Sequence, residues 1–247
     1  MEIDLLNKTI LVTGGTRGIG AAIVQLFQKC NADVIATGTD NKEIDRLNQE
    51  SPGRKINYMQ LDFTSNKSVQ SFLDNLVERE RIDVLINNAG VNKIESINDI
   101  DENDWDWINN VNLRGPFLLT RAIVDRMKKQ GYGRIINIAS VFGVVSKAKR
   151  AAYSTTKWGL IGFTKAVALD LAPHNILVNA VSPGFVNTEL TRKILGDKGI
   201  KEITSSIPQQ RLAEVEEIAK TVVFLASDHN TYITGQNIIV DGGFTSA

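Results

Sequence analysis

The chain has 247 residues, 43% hydrophobic and 23% charged, and its 28 Lys+Arg balance 28 Asp+Glu to zero formal charge. That neutrality removes the global electrostatic case for nucleic acid or an anionic membrane as a partner. One cysteine, Cys30, and two widely separated histidines, His174 and His229, exclude an internal disulfide and leave no ligand set for a metal, so none is expected.

The opening stretch MEIDLLNKTILVTGG has neither the basic nor the apolar region of a secretory signal, and no apolar run approaches the ~20 residues of a membrane span. A cytoplasmic, reducing setting is expected, with Cys30 packed in a helix rather than reactive. Lys8–Thr13 (KTILVT) reads as a buried strand, and Ile19, Ile23, Leu26, Phe27 and Cys30 then recur at helical spacing. Between them runs Thr13-Gly14-Gly15-Thr16-Arg17-Gly18-Ile19-Gly20. In that setting Gly14 lets the chain turn, Gly18 lets backbone approach a pyrophosphate, and Gly20 lets the helix pack on the strand. The helix N-terminus adds free N–H groups and a positive dipole.

Val34–Thr37 reads as the second strand, Ser51-Pro52-Gly53 as a turn and Ile56–Leu61 as the third strand. Asp83–Ile86 is a fourth, closed by Asn87-Asn88-Ala89-Gly90. A long helix is expected over Asp104–Lys129; Trp105 and Trp107 open it, and Trp105 is assigned to packing. Arg134–Ala139 forms the next strand and is followed by Ser140. The helix Ala152–Ala172 carries Tyr153 and Lys157, whose four-residue spacing puts them on one face. A cation there favours phenolate and pulls the tyrosine pKa down, which suits proton exchange with a carbonyl or an alcohol. Leu177–Ala180 then ends in Ser182-Pro183-Gly184, Glu214–Ala226 is helical, and Ile238–Val240 is the last strand.

Continuously apolar strands alternating with helices imply a parallel sheet covered on both faces. A glycine turn after the first strand, and about seven strands rather than eight, favour an open doubly wound sheet over a barrel. The expected fold is therefore α/β, a Rossmann-type seven-stranded parallel sheet with helices on both faces, in one domain over residues 1–247.

Taken together, Thr13-Gly14-x-x-x-Gly18-x-Gly20, Asp62, Asn87-Asn88-Ala89-Gly90, Asn112, Ser140, Tyr153-x-x-x-Lys157 and Pro183-Gly184 resemble the short-chain dehydrogenase/reductase superfamily from about Lys8 to Gly243. The resemblance implies hydride exchange between a nicotinamide cofactor and a secondary alcohol or ketone. It also implies a tetrad of Asn112, Ser140, Tyr153 and Lys157. Ser140 would hold the substrate oxygen and Tyr153 would exchange its proton. Lys157 would bind the nicotinamide ribose, and Asn112 would anchor a relay water. Cofactor contacts would fall on Gly14, Thr16, Arg17, Gly18, Ile19, Gly20 and Thr37, then on the adenine pair Asp62 and Phe63. Asn88, Ala89 and Gly90 follow, with Tyr153 and Lys157, and then Pro183, Gly184, Val186 and the carboxamide partner Thr188. Glu189–Pro208 corresponds to the family's variable, moving substrate loop.

Gly38 stands where NAD-dependent members carry an acid after the second strand, and Asp40 comes two residues late. Arg17 occupies the place of a cation for a 2′-phosphate, and Thr37 and Thr39 could add hydroxyl donors, so NADP(H) is favoured over NAD(H). Every charged residue between Asp125 and Asp170 is basic, including Lys147, Lys149 and Arg150 just before Tyr153, which suits an anionic small-molecule substrate. The overall look is closest to 3-oxoacyl-carrier-protein reductases, which keeps that activity as the alternative. Gly131 and His174, however, replace the arginines expected to dock a carrier protein. A dinucleotide-binding regulator without turnover would need none of Ser140, Tyr153 and Lys157. The family also implies a homotetramer built through the two long helices, with Val167 and Leu171 as candidate contacts.

Overall fold

The computed structural model describes residues 2–51, 53, 55–77 and 79–247; Pro52 of the expected Ser51–Gly53 turn lies outside them. The strands are β1 (Thr9–Val12), β2 (Asp33–Gly38), β3 (Ile56–Gln60), β4 (Val84–Asn87), β5 (Gly133–Ile138), β6 (Ile176–Pro183) and β7 (Asn237–Val240). They form a seven-stranded sheet in the order β3-β2-β1-β4-β5-β6-β7, every pairing parallel. Successive strand residues point to opposite faces, so the inner strands are buried along most of their length because each feeds two cores, while the edge strand β3 leaves Asn57 and Gln60 exposed.

On one face, Ile10, Val12, Val34 and Val84 pack with Ile23 and Phe27 of α1 (Gly18–Lys29). Ile44 of α2 (Asn41–Gln49) joins them there. On the other face, Leu11, Ile35, Leu85 and Ile135 meet Phe72 of α3 (Asn66–Val77). Trp107 of α4 (Glu102–Asn109) packs against that second cluster, as do Leu119 and Ile123 of α5 (Gly115–Gln130) and Leu171 of α6 (Ala151–Leu171). The last helices are α7 (Glu189–Ser205) and α8 (Val215–Ala226), and α8 returns to the α1 face with Ile218 and Val222. No described helix is long and apolar enough to cross a membrane.

Several expectations need correction. Asp104–Lys129 is not one α-helix, because Asn110–Arg114 forms a π-helical turn between α4 and α5. Glu189–Pro208 is mostly helical rather than a loop. Thr188 caps it by accepting from the Thr191 N–H, Glu189 suits its first turn, and Gly196 (φ 60°, ψ 177°) kinks it. Trp105 does not pack in the core but stays 38% exposed, whereas Trp107 turns inward. Val167 and Leu171 also face the subunit's own core, so the apolar surface on these helices is Phe117, Trp158 and Leu169 instead. Cys30 follows the last turn of α1, packed against the core, and burial raises its thiol pKa, with Asp4 adding to the effect.

Candidate active site

The strand order reverses between β1 and β4, and a crevice opens at the carboxyl ends of such a pair. The glycine segment leaves β1 there with Gly14 at φ +62°, a backbone that side chains rarely adopt. A Cβ on Gly20 would lie 2.0 Å from the Gly14 carbonyl oxygen, so only glycine lets α1 start this close to the strand. The loop is clamped from β4: Asn88 Nδ2 donates to the Thr13 and Gly14 carbonyls at 2.8 and 3.0 Å, and the Asn88 and Ala89 N–H groups donate to Thr13 Oγ1 at 3.0 Å each. Thr37 lies behind the loop, buried, with Oγ1 accepting from the Gly14 N–H at 3.4 Å. Its hydroxyl therefore supports the loop and is not turned to the crevice as expected.

Arg17 precedes α1 in an extended conformation without capping it through its side chain, and the first turn of α1 holds no acid. The first N–H groups of α1 and its dipole thus meet no competing carboxylate in that turn, which fits a phosphate. Across the crevice, Thr188 Cγ2 is the nearest neighbour a Cβ on Gly18 would find, at 3.7 Å. A side chain at Gly38 would strike the Thr16 methyl at 2.6 Å, and Asp40 is engaged as the cap of α2, accepting from the Lys42 N–H at 2.9 Å. Position 38 therefore offers no carboxylate to ribose hydroxyls and Asp40 is tied through Oδ1 to the start of α2, whereas Arg17 is exposed. These residues fit a nicotinamide dinucleotide carrying a 2′-phosphate.

Farther along, Asp62 uses Oδ1 to accept from the backbone and hydroxyl of Thr64, while the Phe63 ring packs on Gly115 in the core. Phe63 can therefore meet an adenine only through its main chain. Gly184 is held to β7 by its N–H bond to the Val240 carbonyl, and Val186 is buried in a bridge with Ala213. Both set the path of Pro183–Thr188 along the crevice.

The candidate tetrad converges where β5 and α6 meet. Ser140 follows β5 and caps a 3₁₀ turn over Val141–Gly143, its Oγ accepting from the Phe142 N–H at 3.1 Å. The Ser140 hydroxyl acts on Tyr153, in the first turn of α6, and draws the phenol pKa down. Lys157 is buried, donates to the Ile138 carbonyl at 2.7 Å and stands 5.6 Å from the Tyr153 ring centroid. Burial lowers its ammonium pKa to about 8. Asn112 sits in the π-helical turn, where such bulges often mark function. Its amide is committed: Oδ1 accepts from the Val91 N–H, and Nδ2 donates to the Val91 carbonyl and to Thr156 Oγ1.

The phenol departs from the sequence expectation. Burial raises the Tyr153 pKa, and what pulls it back is the Ser140 hydrogen bond and the charge of Arg150, not Lys157. The ammonium is held toward Ile138 and Gly90 rather than against the hydroxyl. In the sequence Arg150 is one of three loop cations, yet it alone is buried, while Lys147 and Lys149 are exposed. Nothing in the sequence separates the three.

Comparison with known proteins finds related oxidoreductases over nearly the whole chain. Residues 14–245 match the family described as Enoyl-(Acyl carrier protein) reductase. The chain is 41% identical over 249 residues to the 3-oxoacyl-[acyl-carrier-protein] reductase of Aquifex aeolicus, covering 98% of this chain and 99% of that enzyme. It is 40% identical over 242 residues to the corresponding Thermotoga maritima reductase, with 97% and 98% covered. A gluconate 5-dehydrogenase from Burkholderia cenocepacia, solved with NADP and tartrate, superposes with a TM-score of 0.91 at 29% identity, covering 100% of this chain and 98% of that one.

Proposed function

The chain belongs to the short-chain dehydrogenase/reductase family and is an oxidoreductase, and from that premise we propose that it interconverts a ketone and a secondary alcohol with NADP(H) in preference to NAD(H). The observation that carries this reading is the Ser140–Tyr153 hydroxyl pair beside a buried lysine at the sheet's carboxyl edge. The bound nicotinamide supplies or accepts the hydride. Ser140 donates to the substrate oxygen, and Tyr153 gives that oxygen a proton or takes one from it. Lys157 offers its remaining N–H donors to the nicotinamide ribose and serves as the proton source behind the phenol. Because the Asn112 side chain is committed to Val91 and Thr156, a relay water at that residue binds its main chain. Steady NADPH oxidation over a panel of ketones, run with both cofactors, tests the reading directly.

Arg17→Ala is expected to weaken NADPH far more than NADH, because a charge-assisted contact to a 2′-phosphate contributes about 1.5–3 kcal/mol. Fluorescence titration with both cofactors measures it; equal loss would reduce Arg17 to a loop-shaping residue. The small-molecule substrate carries negative charge, in keeping with the basic segment before Tyr153, and the enzyme works in the cytoplasm.

A second reading, reduction of a 3-oxoacyl thioester, draws on the relatives' activity. Against it, Gly131 ends α5 at φ 62° and His174 is exposed near it, so neither supplies the fixed cation that carrier docking would use. Acyl-carrier thioesters in the same panel separate the two readings.

We also propose a homotetramer across α4–α6, whose exposed Trp105, Phe117, Trp158 and Leu169 form an apolar surface. Light scattering at working concentration should give four copies, and Phe117→Lys with Trp158→Lys should yield smaller species.

A further inference from the structure

Arg150 stands immediately before α6 and leaves only 9% of its surface exposed. Lys149, in a left-handed conformation at φ 65°, turns the chain so that Arg150 goes inward while Lys147 and Lys149 remain in solvent. The guanidinium carbon lies 5.4 Å from the Phe142 ring centroid, and Phe142 meets Tyr153 edge-on at 6.5 Å. Phe185 extends the same aromatic wall, 6.0 Å from Phe142. Nε and Nη1 are shut off from water and have no hydrogen-bond partner among the described residues. No carboxylate among the described residues forms an ion pair with Arg150.

A cation in this position is costly unless something pairs with it. Its planar fork of donors matches carboxylate and phosphate oxygens. The first turn of α6 contributes no acid that could compete, and its dipole favours an incoming anion. We propose that Arg150 binds an anionic oxygen group, carboxylate or phosphate, that the substrate carries within a few bonds of its reacting carbon.

The closeness follows from geometry. Arg150 and Tyr153 are three residues apart at the start of one helix, and the charge of Arg150 already acts on the phenol. A substrate whose oxygen reaches Tyr153 can also reach Arg150 only if its anion is near that oxygen. Short oxo and hydroxy acids, or phosphorylated hydroxyketones, meet the condition. A long acyl thioester, neutral around its reacting ketone, does not. The assignment rests on the alcohol–ketone reading above and names the substrate class for that site.

The test uses the NADPH-loaded enzyme on matched pairs: short oxo acids against their carboxamides, and a phosphorylated hydroxyketone against its unphosphorylated parent. Wild type should favour the charged member of one pair by about tenfold to a hundredfold in kcat/KM, mainly through KM. The favoured pair distinguishes carboxylate from phosphate. Arg150→Gln should bring the two members level; the readout is the ratio of kcat/KM within each pair, because losing the charge also acts on Tyr153 and changes both members alike. Arg150→Lys should restore part of the preference, since an ammonium keeps the charge but loses the fork. NADPH titration and thermal unfolding establish that both variants fold. Wild type without preference for any anionic member, or Arg150→Gln retaining the preference, overturns the proposal. Tyr153→Phe distinguishes a failure of the underlying reading: it should lower turnover of both members of every pair by about 10²–10⁴-fold, and near wild-type turnover there would count against the alcohol–ketone chemistry itself.

Discussion

Tyr153→Phe lowers turnover by about 10²–10⁴-fold, the contribution of a positioned general acid–base, while NADPH affinity stays close to wild type. The substitution removes one oxygen and leaves the ring edge-on to Phe142, so packing and the cofactor crevice are untouched. Direction and pH sharpen the expectation. Burial keeps the phenol protonated above its ordinary range, with Ser140 and Arg150 drawing it part of the way back. Reduction needs the protonated phenol with a protonated lysine behind it, so its rate holds through neutral pH, declines as Lys157 loses its proton at about 8, and falls further as the phenol ionises. Oxidation needs the phenolate, so its rate climbs over that same alkaline limb. Pre-steady-state and steady-state rates of the variant in both directions provide the measurement, and near wild-type turnover would remove Tyr153 from the chemistry.

The second large effect is structural. Gly20→Ala places a methyl 2.0 Å from the Gly14 carbonyl oxygen and 2.5 Å from Asn88 Nδ2. Neither neighbour can yield cheaply, because the first is backbone and the second is tied to Thr13 and Gly14. The cost should reach about 3 kcal/mol, the upper part of the overpacking range. In a chain of this size that is a fall of roughly 6–12 °C in Tm. NADPH binding should fall with it, since α1 must move away from β1 to make room. Thermal scans with and without NADPH read both effects, and an unchanged midpoint would mean that the loop can open without cost.

Periodicity and turn residues made the sheet legible: all seven strands lie on apolar runs that a turn-forming residue closes, Gly, Asn or Ser in most cases and Asp after β3 and β7. Strands feeding two cores leave a strong local signal because most of their residues are apolar. The π-helical turn at Asn110–Arg114 left none, since one extra residue per turn depends on what α6 and Val91 demand of Asn112. Helix α7 was missed because its residues are not buried and its apolar positions form no stripe. In the site, spacing brought Tyr153 and Lys157 onto one face. It could not tell that the ammonium would be claimed by the Ile138 carbonyl, nor that Arg150 would fold inward. Those outcomes depend on contacts of α6 and the residue before it with the end of β5 and the turn after it, which spacing along one helix does not reveal.

Thr16 and Gly38 fill one space between them, a methyl occupying the room that a side chain after β2 would take. Cofactor preference at this edge is consequently a property of a pair of positions, and the order of change matters along any lineage. An acid introduced first at position 38 collides with Thr16 and impairs the site for either dinucleotide. Loss of the Thr16 methyl first is nearly silent, and it opens the room in which a later acid could reach ribose hydroxyls. The rigid cradle of Gly14, Gly20 and Asn88 takes no part in that exchange. A descendant could therefore change its coenzyme while keeping its catalytic floor intact, but only along the path in which the smaller residue comes before the charge.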